Sequence, residues 1–364
     1  MPGGRYHAID GLRGLAALLV VLHHCVLVSP EFFDAYKSKG APSTLVWALT
    51  HTPLHLAWAG SEAVFVFFIL SGFVLTLPFL RSNAPSWRVY YPKRLARIYL
   101  PVWGSIVFSL IMAYCVPRVN NSGYSEWINV HAADINPLRD AVLVLGTGIL
   151  NTPLWSLSWE IVFSLLLPVY LFLAMRLRKN WMVWLAGTLA IIALASVLNE
   201  DKLVYLPMFG VGVLMAVHKD QLQRWAAKMG PMSWACLIAA CVLALTSKWI
   251  IPGVPALDAL AVVGGALALF TFLHFAPTVR FGERASMRWL GKISFSLYLT
   301  HEPIVVSVAL LTGTTSPLMV VAISLPLSLL VAAGFFRLVE KPSHNFANAL
   351  GRVIDKRSVA AAAR

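Results

Sequence analysis

The chain has 364 residues, of which 59% are hydrophobic and only 12% charged. Soluble domains run at about 45–50% apolar and about 25% charged residues. This chain therefore carries more apolar side chain than a water-soluble globule can bury, which excludes soluble, secreted, fibrous, disordered and nucleic-acid-binding classes. The formal net charge of +13 is first a topology signal, because cytoplasmic loops of membrane proteins collect Lys and Arg.

A spanning helix needs about 20 mostly apolar residues. In chain order this predicts ten spans, at 12–29, 58–80, 98–116, 156–174, 181–198, 203–217, 233–249, 257–275, 293–311 and 317–338. The sixth is short, and a weaker apolar piece at 141–150 reads as re-entrant or interfacial. The start is not a cleavable signal peptide, since the run after Arg13 is too long and holds His23 and His24 deep inside. With the N-terminus placed in the cytoplasm, 23 of the 29 Lys and Arg residues fall inside. Lys37, Lys39, Arg118, Arg139, Lys202 and Lys248 fall outside. The expected fold is an all-α polytopic membrane helix bundle of about ten transmembrane helices with both termini cytoplasmic. Residues 1–345 form the membrane domain and 346–364 a cytoplasmic tail, disordered after Ser358. Only the external connections 30–57 and 117–155 are long. Cys25, Cys115, Cys236 and Cys241 all fall in apolar runs without ligand spacing and read as small buried hydrophobes. No metal, nucleotide-loop or dinucleotide pattern is present.

Ionisable groups inside spans are expensive, so each is a candidate for function. Arg13 opens the first span and His24 follows eleven residues later. Eleven residues turn a helix by three turns plus about 20° and advance it about 16 Å, which puts both on one face. His23 lies about 100° away. A long substrate with an anionic end at Arg13 and a reactive end at His24 fits this spacing; an interfacial anchor and an interhelical hydrogen bond fit it too. Ser71 and Gly72 in the second span allow close helix approach, and Glu62 near its outer end faces external water. Arg94 and Arg97, at the entrance of the third span, suit phosphate oxygens or lipid headgroups. Glu160 lies about 8–10 Å below the outer interface and His24 about 9 Å below it, so the two can share one site. His301 and Glu302 sit near mid-membrane beside Pro303, as a hydrogen-bond hub or a binding element. Val339-Glu340-Lys341-Pro342 reads as an interfacial stop.

These residues together resemble the acyltransferase-3 family of membrane acyltransferases. The marks are Arg13 and His24 with ten residues between them and the Phe67–Phe73 run Phe-Phe-Ile-Leu-Ser-Gly-Phe. The basic pair Arg94 and Arg97, the Trp155–Glu160 run Trp-Ser-Leu-Ser-Trp-Glu and the Tyr298–Pro303 run Tyr-Leu-Thr-His-Glu-Pro complete them. Pro101 stands one residue later than in the commonest family form. The resemblance implies transfer of an acyl group, usually acetyl from acetyl-CoA, to a hydroxyl of a saccharide or lipid-linked saccharide. The acceptor expected here is a bacterial exopolysaccharide or its precursor at the inner membrane. Under that implication His24 is the general base and Glu160 orients it or holds the acceptor. Arg13, Arg94 and Arg97 hold CoA phosphates. Trp155, Ser158 and His301 contact the acceptor, Trp155 by stacking on a sugar ring. Direct transfer and a covalent acyl-His24 relay both remain open. The competing class is a proton-coupled secondary transporter with Glu160, His24 and His301 as relay. The ten spans show no repeat halves to support it.

Overall fold

The computed structural model describes residues 7–132, 136–144 and 148–362, with side chains described as far as Asp355. Among the described residues all regular structure is helical. Ten helices follow the predicted spans: α1 (His7–Leu27), α2 (Gly60–Thr76), α3 (Trp87–Cys115), α4 (Leu154–Arg176), α5 (Trp181–Leu198), α6 (Asp201–Val217), α7 (Pro231–Ile250), α8 (Asp258–His274), α9 (Ala285–Thr312) and α10 (Pro317–Phe335). Nine helical stretches among the described residues are long and apolar enough to cross a membrane, and α6, bent by 71° into the short helix Lys219–Ala226, makes a tenth. The 17 residues of α6 rise only about 25 Å, short of a hydrocarbon core of about 30 Å.

The central helix is α9, buried along nearly all of Leu290–Ala309. Helix α1 packs along it, with α10 and α3 beside them, while α2 joins α1 to a second group made by α5, α6, α7 and α8. Between helices in lipid there is little hydrophobic drive, so small residues that let backbones touch carry the association. That is visible at two crossings. A Cβ on Gly291 of α9 would overlap the Asp10 carbonyl of α1, and a Cβ on Gly212 of α6 would overlap the Ile69 carbonyl of α2.

The structure departs from the sequence expectations at several places. Helix α3 begins at Trp87, eleven residues before the predicted span, because Arg94 and Arg97 lower the hydropathy of a helix that continues beneath them. Helix α10 does not stop at Glu340. It passes through a π-helical turn, Phe336–Glu340, into α11 (Lys341–Ala362). Pro342 cannot donate a hydrogen bond to the preceding turn, and the wider π turn takes up that mismatch. Helix α11 lies along the start of α3, with Gly351 against Val89 and Lys93. It runs helically past Ser358, where disorder was expected. Burial of the cysteines holds only in part: Cys25 is buried, Cys241 half-buried, and Cys115 and Cys236 are exposed. An apolar run in a membrane helix has a lipid face as well as a packed one. Arg5 and part of the apolar piece at 141–150 lie outside the described residues.

Glu62 also departs from expectation. It is buried, accepts a hydrogen bond from Trp249 Nε1 at 2.9 Å and pairs with Lys248 at 3.2 Å, and Lys248 also reaches Asp258 at 3.2 Å. The 3-10 segment Pro53–Trp58, in the connection between α1 and α2, folds over it and buries His55. Burial, then the charges of Lys248 and His51, push the His55 imidazole down to about 3.

Candidate active site

A cavity of about 950 Å³ lies among α1, α2, α3, α4 and α9, with the π turn and the start of α11 closing one side. It extends from His7 and Asp10, at the start of α1, to Phe67, Ser156 and Tyr298 in the interior. Five cations line it: Arg13, Arg94, Arg97, Arg288 and Lys292. Arg288 and Lys292 are i, i+4 neighbours on one face of α9. In the sequence they register only among the cytoplasmic charges, and the i, i+4 spacing is the one signal that sets them apart. Glu340 and His344 line the cavity as well. The π turn aims Glu340 inward, where its carboxylate accepts the Ser296 N–H at 3.1 Å and the Ser296 hydroxyl. A π turn is a common device at functional sites, but no hydropathy period reveals one.

Glu160 and His24 are not partners. The Arg94 guanidinium pairs with Glu160 and its Nε donates to Ser164 Oγ at 3.2 Å. Ser71 donates to the same Glu160 oxygen at 3.1 Å, so Ser71 does more than keep the helix narrow. The cause lies in α3: because it starts early and runs antiparallel to α4, Arg94 stands within the bundle instead of at its entrance. Arg94 therefore faces the cavity already neutralised, whereas Arg13 and Arg97 gather on its wall with Glu340 and His344.

His24 meets His301 instead. His24 Nδ1 lies 2.7 Å from His301 Nε2, and His301 Nδ1 lies 2.9 Å from the Leu297 carbonyl. A carbonyl only accepts, so His301 carries its hydrogen on Nδ1 and accepts at Nε2. His24 then donates from Nδ1 and holds a lone pair on Nε2, an assignment inferred from the partners. Among the described residues His24 Nε2 has no hydrogen-bond partner. His23 diverges as the helical step requires: its Nδ1–H donates to the Trp58 carbonyl at 3.1 Å and its ring stacks on Trp58. Tyr298 links the histidines to the cavity. Its ring is 6.0 Å from that of His301 and 5.8 Å from that of Phe67, and its hydroxyl is 2.7 Å from Ser156 Oγ.

The long connection 117–155 covers His24. Trp127 stacks on the His24 ring with centroids 5.2 Å apart and planes 8° apart. Glu302, fully buried on α9, anchors this cover by accepting from the Thr152 N–H and hydroxyl and by meeting His131 Nε2 at 3.1 Å. Sequence reading placed Glu302 in the membrane but had no means of finding Thr152, His131 or Trp127 as its neighbours, since the return path of a loop leaves no periodic signal. Trp155 and Ser158 turn away from the cavity. Trp155 packs on Phe68 and Tyr205, and Ser158 donates to the Trp155 carbonyl at 2.6 Å. Of that run, Ser156, Leu157 and Glu160 face the cavity.

A polytopic bundle with a cationic cavity that ends beneath a hydrogen-bonded histidine pair has the parts of a membrane-embedded group-transfer enzyme. Residues 6–337 match the acyltransferase-3 family, described as an acyltransferase domain, and the chain belongs to that family. It is 29% identical over 329 residues to the acyltransferase MdmB of Streptomyces mycarofaciens, an alignment covering 82% of this chain and 78% of that protein. No solved structure matches the chain.

Proposed function

We propose that this membrane acyltransferase moves an acyl group, acetyl in the first instance, from cytoplasmic acyl-CoA to a saccharide hydroxyl. The acceptor class is a bacterial exopolysaccharide or its lipid-linked precursor, and the membrane is the cytoplasmic one. The observation that carries this reading is the cavity: five cations at its wall, and a histidine with a free lone pair one aromatic layer beyond its far end. An acyl-CoA has matching parts, with phosphates at one end, a thioester at the other and an arm of the same order as the roughly 16 Å from Arg13 to His24.

In this mechanism Arg13, Arg97, Arg288 and Lys292 hold the phosphates by charge-assisted hydrogen bonds. Arg94 acts mainly through Glu160. The pantetheine arm runs past Ser156 to Tyr298. His24 Nε2 takes the acceptor hydroxyl proton as general base, while His301 holds the His24 tautomer through Nδ1. The acceptor oxygen attacks the thioester carbonyl carbon, the C–S bond breaks, and the proton on His24 passes to the departing CoA thiolate. Atoms and charge balance without a further reactant.

Purified protein incubated with acetyl-CoA and an acidic exopolysaccharide oligomer tests the reading. Free CoA and ester-bound acetyl should appear in equal amounts and should both disappear in His24→Ala. Proton uptake without CoA release would favour the transporter instead.

A further inference from the structure

A second cavity, of about 570 Å³, lies where α4 ends, α5 begins and α6 bends into Lys219–Ala226. It shares no lining residue with the acyl-donor cavity. Because α3 and α4 run antiparallel, it stands at the same end of the bundle as Arg13. Arg178, Lys179 and Arg224 line it and are exposed. None of the three has a carboxylate partner among the described residues, and Asp220 is the one acid on the wall. His218 is also on the wall yet 8% exposed. Its Nδ1 meets Gln221 Oε1 at 3.2 Å, and its buried Nε2 has no partner among the described residues. An amide oxygen only accepts, so Nδ1 carries the hydrogen and Nε2 is an unsatisfied acceptor. Trp181 packs its ring 5.2 Å from His218 and 5.8 Å from Trp225, the kind of aromatic pair that settles at headgroup level.

We propose that this cavity binds one anionic phospholipid by its headgroup, the phosphodiester on Arg178, Lys179 and Arg224 and a headgroup hydroxyl on His218. The short α6 favours a lipid over a soluble anion. A span of about 25 Å in a core of about 30 Å thins the bilayer locally, which draws the headgroup layer to the bend where the cations stand. Unpaired basic pockets between helices are suited to such headgroups. Phosphatidylglycerol, with one phosphodiester charge and two hydroxyls, matches the donors and the acceptor on the wall.

The test is lipid retention. The full chain is placed in nanodiscs of phosphatidylcholine with one quarter phosphatidylglycerol, then released into mild detergent, and retained lipid is counted by native mass spectrometry. Wild type should keep one phosphatidylglycerol and no phosphatidylcholine. Arg178→Gln with Lys179→Gln and Arg224→Gln should lower retention by roughly 100-fold, each cation near the surface contributing about fivefold. Arg13→Gln with Arg97→Gln should leave it unchanged, which separates this cavity from the donor cavity. In nanodiscs in which phosphatidic acid replaces half of the phosphatidylglycerol, wild type should retain phosphatidylglycerol in preference to phosphatidic acid, and His218→Leu should keep the charge attraction but erase that preference. Equal retention in wild type and the triple variant, equal retention of the two original lipids, or complete displacement by 10 mM inorganic phosphate would each overturn the proposal. The last outcome would identify a site for free phosphate.

Discussion

His23 and His24 are adjacent in sequence and opposite in consequence. His24→Ala removes the proposed base and leaves the buried Nε2 of His301 without its donor, so stability should fall by about 1–3 kcal/mol while acyl transfer at permissive temperature falls by at least 10³-fold, within the range of positioned proton transfer. His23→Ala removes a buried ring and leaves the Trp58 carbonyl without its donor, a loss of about 1–3 kcal/mol, so stability should fall while turnover at permissive temperature persists. Equal loss of turnover in both variants, with equal stability, would contradict the tautomer and packing assigned here. The arginines should divide in the same way. Arg13→Gln and Arg97→Gln each remove a proposed charged hydrogen bond to the donor, worth about 1.5–3 kcal/mol, so KM for acyl-CoA should rise at least tenfold with a smaller change in kcat. Arg94→Leu instead strands Glu160, whose side chain is 20% exposed. Its stability cost of about 1–3 kcal/mol, reduced from the fully buried case by that exposure, should be largely recovered in Arg94→Leu/Glu160→Leu. Thermal unfolding in detergent beside donor-saturation kinetics distinguishes the two groups.

At the scale of elements, the segment Pro53–Trp58 carries a pH dependence of definite sign. The His55 pKa lies at about 3 in the fold, below its ordinary value of about 6.5. The unfolded chain therefore binds the proton more readily, and stability is lost as pH falls through 6.5 toward 3. At pH 5 the loss is about 2 kcal/mol at 1.4 kcal/mol per unit, and His55→Phe should flatten the melting temperature between pH 7 and 5; an unchanged slope would show that another group governs it. Which elements could be read from sequence follows from which forces leave a periodic trace. Apolar length exposed all ten spans, even the short α6, because lipid tolerates little else. The start of α3, the π turn at Glu340 and the length of α11 escaped, because each is polar helix sustained by a cavity or a neighbouring helix and not by its own hydropathy. Arg13, Arg94, Arg97 and Glu160 stood out as charges in costly places, and all four line the cavity. Glu160 pairs with Arg94 and not with His24, because depth along a helix depends on where that helix begins and α3 begins earlier than its hydropathy indicates. His24 with His301, and Trp127 with Glu302 behind them, needed the three-dimensional path of a loop.

The whole molecule is polarised along the membrane normal. The cationic cavity extends from the end where α1 and α3 begin, and His24 lies beyond it, capped by Trp127 of the connection between α3 and α4, which the proposed topology has outside. Two routes for the acyl group are consistent with such a plan. Donor and acceptor can approach from opposite ends and meet at His24, with the acyl group crossing the bilayer during the reaction, or both can enter the arginine cavity and the product be moved afterwards. The first is expected, for two physical reasons. The cavity wall gathers five cations beside Asp10, Glu160 and Glu340, which suits a polyanionic ligand, and Phe67 and Tyr298 stand between the cavity and the His301 ring that meets His24, a passage better matched to a slender thioester arm than to a bulky saccharide. Proteoliposomes sorted by orientation, with tags on the termini confirming that both share the donor side, decide between them. Acetyl-CoA added only at the arginine end should acylate an impermeant oligosaccharide held only at the other end, with CoA released where its parent was supplied. Opening the outer connection with Trp127→Ala should lower KM for the acceptor while leaving KM for the donor unchanged, because only the acceptor must displace the ring that covers His24. Product formed only when donor and acceptor share the arginine side, with Trp127→Ala altering neither constant, would establish the second route and leave the acyltransferase activity itself standing.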